Sequence, residues 1–349
     1  MTEKVMMKGN EAIGEAAILA GCLTYFGYPI TPQSELPAYL ARRLLKMEDG
    51  IFLQAESEIA AINMVYGAAG TGKRVMTSSS SPGISLKTEG ISYIASSQLP
   101  CVIVNIVRGG PGLGNIAPAQ SDYFQATKGG GHGDYRLIVL APASVQEMAD
   151  FTQLGFDLAD EYRNPVMVMG DGALGQMMEP VVLKKPEPKK YNHDWATTGA
   201  KGRGQNLICS IYLDPEEMEK YVHEIYAKYS VIEEKEVRYE KYLCDDADYL
   251  IVSYGITSRI VRTSIDLARE KGIKVGLLRP ITVWPFPTKV ISELADQVKK
   301  VMAIELSMGQ MVEDVRLAVN GKKPVEFFGR TAGVLPSCNE VLSVIEKLV

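Results

Sequence analysis

Short, strongly apolar runs alternate along the chain with longer segments whose apolar residues recur every three to four positions. Runs of the first kind read as buried strands of a parallel sheet, and segments of the second kind as helices packed on it. Ala12, Ile13, Ala16, Ala17, Ala20 and Leu23 keep helical spacing, so Gly9–Gly27 reads as one helix, capped by Asn10 and ended by Gly27. Tyr28-Pro29-Ile30-Thr31-Pro32 must then be extended, because two prolines exclude a helix interior. Ser34 and Glu35 open a second helix, to about Leu45.

Strands are predicted over Ile51–Gln54, Arg74–Ser79, Cys101–Val107, Leu137–Leu140 and Pro165–Met169. Helices are predicted over Glu58–Gly70, Lys87–Ser97 and from Ser144 to Tyr162, the last with Glu147 at the capping-box position. Gly109–Gly133 is Gly- and Pro-rich and reads as a long loop with one helical turn near Tyr123. Residues 1–180 therefore form one α/β domain with a mostly parallel sheet. Residues 181–245 read as an extended linker followed by one or two amphipathic helices within Asp214–Tyr242. The alternation restarts near Asp248 and gives a second, smaller α/β domain over 246–349, with Ile281–Pro287 as a loop.

Bulk composition narrows the function. A net charge of −5 leaves no excess of cations to neutralise phosphates, which argues against nucleic-acid binding. No apolar run is long enough to span a bilayer, and the first residues carry no signal-peptide pattern, so no membrane contact and a cytoplasmic location are expected. The five cysteines are dispersed and never form a CxxC pair, so this chain is expected to hold neither a disulfide framework nor a metal or iron–sulfur site.

Two glycine-rich stretches imitate nucleotide loops. Gly67–Arg74 nearly spells a P-loop, but Arg74 stands where Ser or Thr is needed, and the glycines end a helix instead of starting one. Gly112–Ala117 loosely fits a dinucleotide turn, yet no long apolar helix follows it.

Glu56 and Glu58 sit where a nearly all-apolar helix begins. Two positions apart on a helix, they point about 200° from each other. Glu58 shares its face with Ile62, Val65 and Ala69, so a buried helix leaves it on an apolar face needing a partner or a use. Both also fit as ordinary first-turn acids stabilised by the helix dipole, and periodicity alone leans that way. Arg108, after the Cys101–Val107 strand and before a Gly-rich loop, suits an anion or a surface ion pair equally. The Thr31 hydroxyl has the choice of facing a ligand or capping the next helix, and His132 reads as a polar loop residue.

Four stretches decide between these readings: YPITPQSE (28–35), QAESEIAAINMVYGAAGTGKRVMTSSSSPG (54–83), VRGGPG (107–112) and RPITVWPFP (279–287). Together they resemble the 2-oxoacid:ferredoxin oxidoreductases, and most of all their alpha-type subunit in its short, separate-chain form. The resemblance runs from Gly9 to about Gly333. It implies a pyrimidine-binding domain for thiamine diphosphate followed by a domain similar to the transketolase C-terminal domain. It puts the cofactor-activating carboxylate on Glu58, the substrate-side threonine on Thr31 and the substrate-carboxylate arginine on Arg108. Pro29, Ile30 and Ser81 join Glu58 as cofactor-binding positions.

A carboxylate hydrogen-bonded to N1′ of the aminopyrimidine favours the imino tautomer that activates the thiazolium, and the charged ring then accepts the electrons left by CO₂. The family passes electrons to iron–sulfur clusters and releases the acyl group to coenzyme A.

Gly170-Asp171-Gly172 resembles the start of a diphosphate and Mg²⁺ motif, but no Asn-Asn follows at the usual interval. The resemblance thus implies a beta-type subunit that binds the diphosphate and Mg²⁺, a ferredoxin-like subunit with [4Fe–4S] clusters, a gamma-type subunit, and ferredoxin as acceptor. 2-Oxoisovalerate is the expected substrate and 2-oxoglutarate the alternative. A lipoamide- or sugar-transferring thiamine enzyme is a more distant alternative.

Overall fold

The computed structural model describes residues 4–187 and 189–349. The chain begins β1 (Val5–Lys8), α1 (Gly9–Leu19), β2 (Thr24–Gly27), α2 (Glu35–Leu44), β3 (Ile51–Gln54), α3 (Glu58–Ala69) and β4 (Val75–Ser79). It continues with α4 (Pro82–Ser96), β5 (Cys101–Val107), α5 (Tyr123–Thr127), β6 (Ile138–Leu140), α6 (Val145–Tyr162), β7 (Pro165–Asp171), α7 (Gly172–Gln176) and β8 (Met178–Val181). After an irregular stretch come α8 (Pro215–Lys235), β9 (Tyr239–Tyr242), β10 (Tyr249–Val252), α9 (Gly255–Glu270), β11 (Val275–Pro280) and β12 (Thr282–Trp284). The last elements are α10 (Thr288–Gln297), β13 (Lys300–Glu305), α11 (Met311–Val319), β14 (Val325–Gly329) and α12 (Cys338–Leu348).

Two mostly parallel sheets organise the chain, as the α/β pattern predicts. The larger has seven strands in the order β12-β6-β7-β5-β4-β2-β3, antiparallel only at β12. The smaller has five, β14-β13-β10-β11-β9, antiparallel only at β9. β5 lies inside the large sheet and is buried along its whole length, which is why its sequence is continuously apolar except at Asn105.

Several expectations need correction. The predicted Gly9–Gly27 helix stops at Leu19; Gly21, at φ +82, turns the chain, and Thr24–Gly27 forms strand β2. Its β-prone aromatics explain the change: Tyr25 is buried and stacks on Phe52, with ring centroids 5.4 Å apart. Asn10 is not the cap, since Lys8 holds that position. α4 begins five residues before Lys87, at Pro82, whose fixed φ suits a first helical turn. Asp214–Tyr242 holds one helix, and its end, Tyr239–Tyr242, is an edge strand. Val181, placed in the linker, ends a strand paired with β1.

The largest correction concerns Ile281–Pro287. This segment is not simply a loop, because β12 pairs with β6 and gives the large sheet its edge strand. Arg279, just before it, is buried and grips Glu147 through both carboxylate oxygens, at 2.8 and 2.6 Å. Gln120 adds a second tie, donating to the Tyr254 carbonyl and accepting from Leu306 N and Thr257 Oγ1.

Candidate functional site

The carboxyl ends of β2, β4 and β5 lead into 28–34, 80–81 and 108–117, and every sequence-predicted site residue except Glu58 lies in these connections. Parallel α/β sheets bind ligands at this end. Glu58 reaches the same region from the first turn of α3, whose cap is Ser57 accepting from Ala60 N.

Glu56 and Glu58 part company in the structure. Glu56 is exposed and accepts from the Ser57 hydroxyl. Glu58 is 6% exposed, and among the described residues nothing donates a hydrogen bond to its carboxylate. The carboxylate packs on the first turn of α4, where a Cβ on Gly83 would stand 2.7 Å from Glu58 Oε1 and 2.1 Å from Ser79 Oγ. Glycine is required here for close approach and not for its φ. The hydroxyls of Ser79 and Ser80 are buried without a partner. Buried polar groups are normally satisfied, so two hydroxyls left open beside a carboxylate that no protein group holds mark where a polar ligand would enter.

Ser81 sits at the crest between β4 and α4 with φ at +22, an unfavourable conformation for a residue with a side chain. Its amide donates to Asn105 Oδ1, and its hydroxyl accepts from Arg108 N. Asn105, the polar residue in β5, also donates to Asp122, whose carboxyl is pushed up by burial.

Arg108 is 8% exposed. Its guanidinium donates to the Thr31 carbonyl at 2.9 Å and the Leu113 carbonyl at 3.0 Å, while Nε is buried without a partner. Arg108 therefore ties the YPITP segment to the Gly-rich loop, and Thr31, Ser81 and Arg108 form one hydrogen-bonded group. Thr31 itself is exposed, as is Pro29, and the Ile30 carbonyl accepts from Gln33 N. Leu113 and Ile116, on the loop held by Arg108, are 82% and 62% exposed.

Sequence reasoning missed the supports. Asn10 and Gln176 both donate to the Pro32 carbonyl and to Glu35, whose carboxyl is held low by donors that outweigh its partial burial. Gln33, fully buried, accepts from Ser78 Oγ at 2.5 Å and donates to the Tyr28 carbonyl. A polar residue inside an otherwise apolar element was the available signal at Asn105. Asn10 and Lys87 sit in helices with several other polar residues, and pattern alone does not single them out.

The decoys are settled by their hydrogen bonds. The amides of Gly70, Thr71 and Gly72 donate to carbonyls of α3, so they are not free to cradle a phosphate. Arg74 is committed to Asp157 and Asp160. Asp171 caps the short α7 by accepting from Ala173 and Leu174 amides, and burial pushes its carboxyl up to about 6. Cys22 and Cys101 are buried, and burial pushes both thiols up to about 12. Among the described residues no cluster of three or more His, Cys, Asp or Glu is arranged to hold a metal, and no helix is long and apolar enough to cross a membrane. A cavity of about 790 Å³ lies between Thr127–Lys128, the end of α8 and Trp284–Lys289, and none of the site residues above lines it.

Residues 15–242 match the family model described as pyruvate flavodoxin/ferredoxin oxidoreductase, thiamine diphosphate-binding, and 247–341 match pyruvate:ferredoxin oxidoreductase core domain II. The ketoisovalerate oxidoreductase subunit VorB of Methanothermobacter thermautotrophicus is 53% identical over 98% of this chain and 97% of its own length. The 2-oxoglutarate synthase subunit KorA of Methanothermobacter marburgensis is 37% identical over 99% of each chain. Among solved structures, the 2-oxoglutarate:ferredoxin oxidoreductase from Magnetococcus marinus, with 2-oxoglutarate, coenzyme A and succinyl-CoA bound, superposes with a TM-score of 0.87 at 26% identity, over 99% of this chain and 65% of that one. A split-gene transketolase shares the fold, with a TM-score of 0.60 at 14% identity.

Proposed function

The chain belongs to the 2-oxoacid:ferredoxin oxidoreductases, as an alpha-type subunit of a multi-subunit enzyme, and from that premise we propose that it forms the pyrimidine side of a shared thiamine diphosphate site in an enzyme oxidising 2-oxoisovalerate to an acyl-CoA and CO₂. The observation that carries this reading is Glu58: a buried carboxylate without a hydrogen bond, beside Gly83 and two unpartnered serine hydroxyls. Those residues fit an aminopyrimidine, which offers ring nitrogens and an amino group to exactly such donors and acceptors. When bound, the cofactor supplies a carbanion to the keto carbon and an electron sink for decarboxylation.

The chain's own residues take the remaining roles. Glu58 holds the proton at N1′ of the pyrimidine. Pro29, Ile30 and Ser81 line the cofactor, with Ser81 fixed by Asn105 and the Arg108 amide. Arg108 binds the substrate carboxylate through donors not engaged by the Thr31 and Leu113 carbonyls, and Nε is one of them. The Thr31 hydroxyl bonds the reacting oxygen or the aminopyrimidine amino group.

The branched-chain substrate is supported by the greater identity to the ketoisovalerate subunit than to the 2-oxoglutarate subunit. Leu113 and Ile116 on the arginine-held loop suit a branched alkyl group better than a second carboxylate. A panel of 2-oxoacids on the purified complex tests this: 2-oxoisovalerate should give the highest kcat/KM, and preference for 2-oxoglutarate would overturn it.

The diphosphate and Mg²⁺ fall to a beta-type subunit, since Asp171 is spent as a helix cap. Clusters fall to a ferredoxin-like subunit, a gamma-type subunit completes the enzyme, ferredoxin accepts the electrons, and the complex works in the cytoplasm. Residues 1–180, 181–245 and 246–349 are the proposed domain, linker and second domain. Iron–sulfur absorbance in the purified complex separates this enzyme from a lipoamide- or sugar-transferring thiamine enzyme.

A further inference from the structure

Lys87 is a fully buried cation that none of the roles above uses. It lies on α4 one turn beyond Gly83, the glycine against which the Glu58 carboxylate packs. One turn further, Gly90 receives Ile62, where a Cβ would come within 2.5 Å of Ile62 Cγ2. Glu58 and Ile62 of α3 thus seat on Gly83 and Gly90 of α4, with Lys87 between the two glycines on the same face. The ammonium does not touch Glu58. It turns down to β4 and donates to Thr77 Oγ1 at 2.6 Å and to the Ser78 carbonyl at 3.0 Å. Ser78 in turn bonds Tyr25 and Gln33, so the cation is anchored to a neutral, fully buried network.

A buried ammonium held only by neutral acceptors is costly, because desolvation outweighs two hydrogen bonds. Burial accordingly pushes Lys87 down to about 7, and the one charge opposing that push is Glu58. An apolar residue of the same length would pack here without that cost, which points to a use for the charge.

We propose that Lys87 is a positioning residue for the cofactor proton: its ammonium, carried on the α4 face against which Glu58 packs, biases the proton that Glu58 shares with the pyrimidine towards N1′. The reasoning is electrostatic. With the proton on N1′ Glu58 is a carboxylate, and with the proton on Glu58 it is neutral. A cation nearby in a water-poor site favours the first arrangement. Proton number is conserved, and Lys87 neither gives nor takes a proton in the step.

The inference rests on Glu58 being the cofactor carboxylate, and the test separates the two. In the assembled enzyme on the acid side of neutrality, Lys87→Met, Glu58→Gln and the double variant are compared by two readouts. These are calorimetric affinity for thiamine diphosphate and the rate of deuterium exchange at C2 of the bound cofactor, read by NMR. Lys87→Met should slow exchange by about tenfold or more, the scale on which a neighbouring opposite charge moves a carboxylate's proton affinity. In the Glu58→Gln background, where exchange is already lost, the same change should leave the calorimetric affinity for thiamine diphosphate unaltered, since no shared proton remains. Wild-type exchange in Lys87→Met, with Glu58→Gln inactive, would overturn the role of Lys87 alone. Wild-type exchange in Glu58→Gln would overturn the assignment of Glu58 itself. If Lys87→Met does not assemble, Lys87→Gln, which keeps a donor for Thr77 without the charge, carries the same comparison. An equal loss of thiamine diphosphate affinity on removing Lys87 from the wild-type and Glu58→Gln backgrounds would reduce Lys87 to a packing residue.

Discussion

Gly83→Ala is the sharpest probe of the site's shape. The added methyl would lie 2.1 Å from Ser79 Oγ and 2.7 Å from Glu58 Oε1. Ser79 has no partner to lose and can rotate away, but Glu58 is buried and has little room. Ordinary contact begins near 3.4 Å, so the carboxylate must retreat by about 0.7 Å. Overpacking of this kind costs about 1–3 kcal/mol. Exchanging glycine for alanine inside a helix returns up to about 1 kcal/mol. The net loss is therefore roughly 0–3 kcal/mol, too little to unfold the protein, so activity and not folding should report the change. Displacing a catalytic group by about 1 Å costs on the order of 100-fold in rate, and kcat should fall by roughly 10- to 100-fold with the complex still assembled. Gly67→Ala, on the exposed face of α3 with nothing within 4 Å of its Cβ, is the control. It should leave kcat unchanged and add about 0.5–1 kcal/mol of stability. The assay is steady-state oxidation of 2-oxoisovalerate with thermal unfolding run alongside. Wild-type kcat in Gly83→Ala would refute the claim that Glu58 works where the structure seats it.

Two further outcomes are expected. Arg108→Ala should raise KM for the oxoacid far more than for coenzyme A, and an equal rise in both would argue against its carboxylate role. Asp171 has a folded-state pKa raised from 3.8 to about 6, so it stabilises the fold below the unfolded value and loses that contribution as pH rises through 6. Asp171→Asn keeps the cap, so its stability relative to wild type should increase as pH climbs from 4 to 6. A constant difference across that range in parallel denaturant titrations would contradict the assignment.

The fold was largely legible because its central strands are buried on both faces and most of its long helices are amphipathic. Cys101–Val107 and Pro165–Met169 declare themselves by composition alone, although the second strand runs on through Gly170 to Asp171. The failures have physical reasons. Thr24–Gly27 was absorbed into a helix because its apolar residues continue the preceding period, and only pairing with β3 and β4 makes it a strand. Thr282–Trp284 lies between prolines, and its strand character comes from an edge offered by a sheet built far away in sequence.

At the site, helical phase singled out Glu58 over Glu56 as the acid on the apolar face, and the structure buries one and exposes the other. What pattern reasoning could not see was the second face of that helix contact. Gly83, Lys87 and Gly90 are spaced as one stripe of α4, but α4 was expected to start at Lys87, so the first glycine fell outside it. The Arg108–Thr31 bond was likewise invisible, because it joins segments 77 residues apart.

The most direct measurement is 2-oxoacid decarboxylation by the assembled enzyme carrying Glu58→Gln. The side chain keeps its size and loses its charge, so assembly should persist while decarboxylation and C2 deuterium exchange on the bound cofactor are both lost. Normal turnover by that variant would contradict the account and make Glu56 the next carboxylate to test.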